Sequence, residues 1–565
     1  MKIIGFDFGT TNSTVSSLIE IKGIPVPVSF ERDADNTRED YIPSVIAYDR
    51  NNGDVLIGRN ADGTLAAKKY EIYRNFKLRI GGEFDKPSGD ETRTSIQATA
   101  DYIKELLMLY EEDKKLSKRN EKIASIVMTV PAAWRRGSDK SSVINDIERL
   151  YSELGYETVD EIYNPLNDNE VYLEREPVAA AAFFCHAYEF CADSDICEDI
   201  NKYKHINPDG KPYNGSLLVI DFGGGTLDVA LCKVEDGRNI TILQRDGFGE
   251  YGKDTNGCAG VAFDVAVVSK LIADNKLEIE KDSLKFKLMC KDFEKNKRDL
   301  SNKITERMKK YYSNPSVVKD PLFPLTYDYD NGEAVEVYCA DMDACFEEIC
   351  ATQLRKFLHD MKMHCDSTDY NIDTSRDAER DDFKVLLVGG FSNFVAVERE
   401  VRDFFDSNPK EEDRRFEMPF GIRNRSLAIS KGAALIAGGW TEVREACEHS
   451  YGYAMFARGE SDQLIPIEIP VIEKGTKIAE VAKPTFPQER QAIRAKDRMG
   501  QLTVYVDGKP VILDKKIGEL FPNMDDRNNE YKIDFSVNRY QVLTLHVKDK
   551  GGKTLSTQLT TLQSS

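Results

Sequence analysis

Apolar runs that break off into glycine recur along this chain. Ile3–Ser13 reads IIGFDFGTTNS, Leu217–Val229 reads LLVIDFGGGTLDV, and Val385–Asn393 reads VLLVGGFSN. Each is the pattern of a buried strand running into a sharp turn. The first two break off in the same order, Asp, Phe, Gly and then threonine, which predicts one unit used twice. A further buried strand is expected at Ile126–Val130, stopped by Pro131, which cannot extend a ladder. Helical periodicity places Ile96, Thr99, Ile103, Leu106, Leu107 and Tyr110 on one stripe of Ser95–Tyr110. Val178–Phe184 opens on Glu176-Pro177, with proline near a helix start and an acid beside its positive end. Helices are also expected at Val265–Ile272, Phe286–Met308, Glu333–His364 and Arg425–Trp440, and strands across 310–335. Thr441–His449 is charged and helix-compatible. Beyond it, Leu464–Ile472, Leu502–Val506, Tyr531–Val537 and Val542–Lys548 alternate with period two between turn signals at Gly475, Asp507-Gly508, Asn538 and Gly551-Gly552.

Composition narrows the picture. At 565 residues several lobes or domains are expected, and 41% hydrophobic with 31% charged residues describes a soluble globular chain. The formal charge of −20 opposes nucleic-acid backbones, so no nucleic-acid partner is expected. No uncharged apolar run reaches the ~18 residues of a membrane span, and MKIIGFDFGTTNS has no signal layout. The 11 cysteines form no Cys-x-x-Cys pair, which suggests reduced thiols and a cytoplasmic protein with no membrane partner. Cys185, His186, Cys191 and Cys197 offer zinc-type ligands at irregular spacing, and thiols without metal are the better reading. No Ser/His/Asp or His-Glu-x-x-His pattern is present, so ester or peptide hydrolysis is not suggested.

The glycine turns carry the candidate chemistry. Glycines let a backbone approach a ligand closely, and successive N–H groups form an anion-binding nest. A carboxylate at the strand end repels phosphate unless a hard cation such as Mg²⁺, keeping its waters, lies between them. Two such turns facing each other would grip a triphosphate from both sides.

Three strand-to-glycine turns in this order resemble the sugar-kinase, actin and heat-shock ATPase superfamily. Within it, IVMTVPAA at Ile126–Ala133, EREPVAAA at Glu174–Ala181 and DFEKNKRDLS at Asp292–Ser301 resemble the seventy-kilodalton heat-shock chaperone family (DnaK-like). The resemblance implies an α/β, actin-like two-lobed ATPase domain over 1–440 with duplicated ribonuclease H-like lobes. A linker over 441–450 would follow, then a small all-β sandwich over 451–565, where IPVIEKGTKI, LTVYVDGK and YKIDFSVN resemble the peptide-binding unit. The family continues into a helical lid, so a lidless divergent member is expected. The implied cofactors are ATP or ADP with Mg²⁺, and the implied partners an unfolded or extended polypeptide client and co-chaperones.

By the same resemblance, Asp7 and Asp221 hold the metal, and Asp7, Glu176, Thr226 and Asp228 serve catalysis. Gly9, Thr10, Thr11 and Asn12 with Gly223, Gly224, Gly225 and Thr226 take phosphate. Gly260, Glu294, Lys297, Arg298, Ser301, Gly389 and Gly390 hold the nucleoside. Departures from the family accompany the match. Counted without gaps from Ile57-Gly58, the family's catalytic lysine falls on Asp62, with Lys68 or Lys69 as substitutes. Ala259, Val261 and Ala262 alter the glycine turn of GCAGVAFD. Phe391 and Asn393 replace a serine and an adenine-stacking arginine, and Ser426 replaces an acid. In the linker Val443 is the only aliphatic candidate for the family's docking contact on the ATPase lobes. These departures predict slow or impaired hydrolysis and weak coupling between the sites. Two functions remain open here, an ATP-dependent chaperone and a nucleotide-sensing scaffold that does not hydrolyse ATP; a small-molecule kinase leaves the C-terminal strands without a place. The segments 135–172 and 185–214 exceed the family's length, and no role is read from them.

Overall fold

The computed structural model describes residues 2–559, less 31, 35–36, 66–68, 81–84, 88–90, 113–121, 133, 135–142, 160–165, 194–195, 197–206, 249–258, 282, 366–371, 373, 375–381, 406–415, 418–421, 459–463, 488–491, 495–500, 523–529 and 540. The fold is mixed α/β with several sheets. The strand Lys2–Phe8 pairs antiparallel with Asn12–Ile21 and parallel with Ile123–Val130. Gly215–Phe222 repeats this, antiparallel to Leu227–Glu235 and parallel to Phe383–Val388. A third antiparallel strand flanks each hairpin, Ile24–Ser29 in the first sheet and Asn239–Phe248 in the second. The two glycine-tipped units therefore occupy equivalent central places in two alike sheets. Central strands are buried on both faces, which is why Ile123–Val130 and Gly215–Phe222 read as continuous apolar runs and not as alternations.

Two helices of small residues join the halves. Glu176–Glu189 follows the strand Glu170–Arg175 of the first sheet and is buried from Glu176 to Tyr188. It packs with Ile422–Ala437 in one core that also holds Leu217, Val219 and Ala230 of the second sheet. A Cβ at Gly432 would overlap the Ala179 carbonyl, and one at Gly5 would overlap the backbone of Ser430 and Ala434. Ser16 and Ser430 hydroxyls meet at 2.9 Å across the same contact. The backbones touch because no side chains separate them.

Tyr451–Gln558 holds two four-stranded antiparallel sheets. They share one core, with Tyr453 and Val504 from one and Ile533, Phe535, Leu545 and Val547 from the other. This unit is seated on the body. Val542 is buried in the core of the first half, and Arg539 donates to the Leu173 carbonyl at 2.9 Å while lying 3.9 Å over the Tyr172 ring. Arg245 of the second sheet donates to Glu448 at 2.9 Å and to the Arg539 carbonyl at 3.2 Å.

Several expectations change. Thr441–His449, read as charged and helix-compatible, contains instead the strand Glu442–Glu445, which pairs in parallel with Asn239–Phe248 with Val443 opposite Ile240. Glu333–Val337 is a strand in a hairpin with Phe323–Asp328, and helix begins only at Cys339. Phe286–Met308 is two helices, Leu284–Asp299 and Ser301–Ser313. The extra segment near 135–172, where described, supplies a helix, Val143–Glu153, and an edge strand, Glu157–Val159. Among the described residues no helix is long and apolar enough to cross a membrane.

Two outcomes are expected from this packing. Gly432→Val forces the crossing helices apart and should destabilise by about 3 kcal/mol or more, seen as a lower Tm in calorimetry. Arg539→Ala removes the guanidinium beside buried Glu174, leaves Glu445 with Arg245 alone, and should weaken docking by about 3 kcal/mol. Small-angle scattering should then show an expanded molecule with unchanged circular dichroism.

Candidate functional site

A cavity of about 650 Å³ opens where the two glycine turns meet. Each turn caps a central strand, Gly9–Asn12 after Phe8 and Gly223–Thr226 after Phe222. The approach is close: a Cβ on Gly224 would strike the Thr11 side chain, and one on Gly225 would strike Thr10. The Ser44 hydroxyl donates to the Gly9 carbonyl at 2.7 Å, and Gly223 N–H donates to the Thr226 carbonyl at 3.1 Å, fixing both loops. The helix Gly260–Asp274 starts against the second turn, with Val261 N–H donating to the Gly224 carbonyl at 2.7 Å. Gly389, at φ +84°, completes the third turn; a Cβ there would run into the Asp221 carboxylate.

Beneath the turns, Asp7, Glu176, Asp221 and Asp228 surround one ammonium, Lys77. Lys77 is 2% exposed, donates to Glu176 at 2.7 Å and hydrogen-bonds the Phe8 carbonyl. Burial, then the Glu176 charge, pushes Asp7 and Asp228 each up to about 7, and the same causes hold Asp221 well above the carboxylate range. Asp228 accepts from Ala132 N–H at 2.6 Å, and Asp7 accepts weakly from the Thr129 hydroxyl at 3.4 Å. Asp221 Oδ1 is buried without a hydrogen-bond partner in the structure. Four acids against one lysine leave an excess of negative charge that a hard cation would neutralise. Among the described residues no three such groups close on a common point, so these side chains do not by themselves form a coordination site.

Residues 207–438 match the Hsp70 protein family. The match spans the second and third glycine turns and most of the helices around the cavity; it implies the actin-like ATPase fold and supports an ATP-binding, chaperone-like function. The first turn lies outside the matched residues, yet the same cavity joins it to the Hsp70-like part.

Every expected site residue except Asp228 lines this cavity; Asp228 lies fully buried behind it. Glu294, Lys297 and Arg298 come from Leu284–Asp299, and Ser301 from the next helix. Lys297 is paired with Asp264, which burial pushes up to about 7 despite that ammonium. Phe391 is turned inward, 5% exposed, edge-on to Phe222 and stacked on Phe394, while Lys297 lies 5.3 Å over its ring. Asn393 and Ser426 reach the cavity wall.

The lysine assignment is corrected. Asp62 is not in the cavity: it pairs with Arg74 at 3.2 Å and Lys291 at 3.0 Å, while Arg74 also reaches Glu294 at 3.4 Å. Asp62 thus belongs to a clasp between Gly58–Asp62 and the helix Leu284–Asp299. Lys69 is spent on Asp49, and Lys68 lies outside the described residues. Sequence reasoning missed Lys77 because the strand Tyr70–Arg74 intervenes and defeats ungapped counting. The available signal was a lysine flanked by Phe76 and Leu78, in a short turn that contains no acid. The cysteine-rich stretch forms no metal site among the described residues; His186 bonds the Pro25 carbonyl and burial lowers it to about 4, and Cys197 lies outside them.

The raised carboxylates set a proton linkage. Below about pH 7 Asp7 and Asp228 carry protons that a cation must expel; above it they are already ionised. Mg²⁺ with ADP should therefore bind more weakly as pH falls from 8 to 6. Calorimetry in buffers of different ionisation enthalpy should show proton release growing over the same interval.

Proposed function

We propose that this chain is an Hsp70-type chaperone that binds Mg²⁺-ATP between its two glycine turns and hydrolyses it. The observation that carries this reading is the buried Lys77–Glu176 pair beneath both turns. Phosphoryl transfer asks a protein mainly to position reactants and to neutralise developing charge. Gly9–Asn12 and Gly223–Thr226 supply N–H and hydroxyl donors for phosphate. Asp7 and Asp221 hold the water-bearing cation, and Lys77 balances the charge of the terminal phosphate. Glu176 and Asp228 orient the attacking water. Glu294, Lys297, Arg298 and Ser301 face the nucleoside from one side, with Gly260, Gly389 and Gly390 about it. The expectation of impaired hydrolysis rested on an acid at the lysine position and on Phe391, Asn393 and Ser426; with Lys77 in the floor, the first of these reasons is gone.

The two sheets of Tyr451–Gln558 are read as a β-sandwich that takes an extended client by backbone pairing and an apolar pocket. Its seat on Leu173, three residues before Glu176, and the linker strand on the second sheet support coupling of client and nucleotide sites.

A single-turnover assay with Mg²⁺-ATP tests the reading. Hydrolysis should exceed background in the wild type and fall about 100-fold in Lys77→Met and Thr226→Ala, with nucleotide binding retained by calorimetry. Wild-type turnover no faster than Lys77→Met, with tight binding, would select the non-hydrolysing scaffold instead.

A further inference from the structure

We propose that Trp134 is a positioning residue for Lys77; the inference rests on the nucleotide reading of the cavity given above. The Lys77 ammonium is 2% exposed, so protein groups must replace its water. The Phe8 carbonyl and the Glu176 carboxylate accept two of its hydrogens. Two aromatic rings lie beside it, Phe8 with its centroid 5.5 Å from Nζ and Trp134 at 5.7 Å, while Lys77 still lines the cavity. An indole is the best of the aromatic faces for a cation, and the attraction grows when water is excluded.

Phe8 is itself held by Phe76 and Tyr102, at 5.9 Å and 6.0 Å between ring centroids. Trp134 is fixed differently. It is 2% exposed, and its backbone N–H donates to the Pro131 carbonyl at 3.1 Å, closing the turn that ends the strand Ile123–Val130. The same turn presents Ala132 N–H to Asp228. One four-residue turn thus sets the position of the lysine through an indole and of the water-orienting acid through an amide. Trp134 does not line the cavity, so its action on bound nucleotide passes through Lys77.

The test uses the full chain. Trp134→Leu keeps apolar bulk and loses the π face; its single-turnover rate should fall about tenfold while Mg²⁺-ATP affinity is unchanged. Trp134→Phe should recover most of the rate. Equal losses in the two variants, no loss in either, or a loss of affinity in place of rate would overturn the proposal. The chain has 2 tryptophans, so in a Trp440→Phe background Trp134 is the only indole. There, Lys77→Met should change the emission of the nucleotide-free protein, and an identical spectrum would overturn the proposal without reference to turnover or to the folding of Trp134→Leu. Absence of Mg²⁺-ATP binding in the wild type would instead defeat the nucleotide reading, leaving the emission comparison to decide the contact.

Discussion

Repulsion among buried carboxylates is the constraint around which this molecule is built. Burial first and the Glu176 charge next make Asp7, Asp221 and Asp228 hold protons more readily than free carboxylates, and the three would also move apart if their strands could yield. They cannot yield easily, because each strand is anchored away from the site. Lys2–Phe8 is pressed by Gly5 against the helix Ile422–Ala437, and Gly215–Phe222 lies between two hydrogen-bonded neighbours. Packing elsewhere thus holds unfavourable charge in place, and Lys77 relieves only part of it.

That arrangement explains why small residues matter far from the cavity. The contact at Gly432 fixes how the helix after Glu176 meets the helix that braces Gly5. Displacement there would shift Glu176 relative to Asp7, although neither residue touches Gly432. Function in this fold depends on backbone-to-backbone distances as much as on the charged groups themselves.

Much of this was legible in the chain. Strands buried on both faces leave continuous apolar runs, and turns that approach a ligand need glycine, so both halves of the cavity could be named from Asp7–Asn12 and Asp221–Thr226. Residues placed by tertiary contact were not legible. Lys77 precedes its partner Glu176 by a long stretch, and beyond its apolar flanks its role shows only once Phe8, Trp134 and Glu176 surround it. Glu442–Glu445 carries no strand pattern, since its conformation comes from the open edge of Asn239–Phe248 beside it. Phe391, counted as a departure in the nucleoside wall, lines the cavity and also packs in a cluster with Phe222, Phe263 and Phe394.

The linker strand has one more effect. Asn239–Phe248 would otherwise form the rim of its sheet, with a row of amides and carbonyls facing outward. A bare rim is adhesive, because any extended segment can zip onto it, including one from another copy of the same molecule. By lying along Asn239–Ile242, Glu442–Glu445 replaces part of a long rim with a short, charged one, and a molecule that released this strand would offer more of that rim to its own copies.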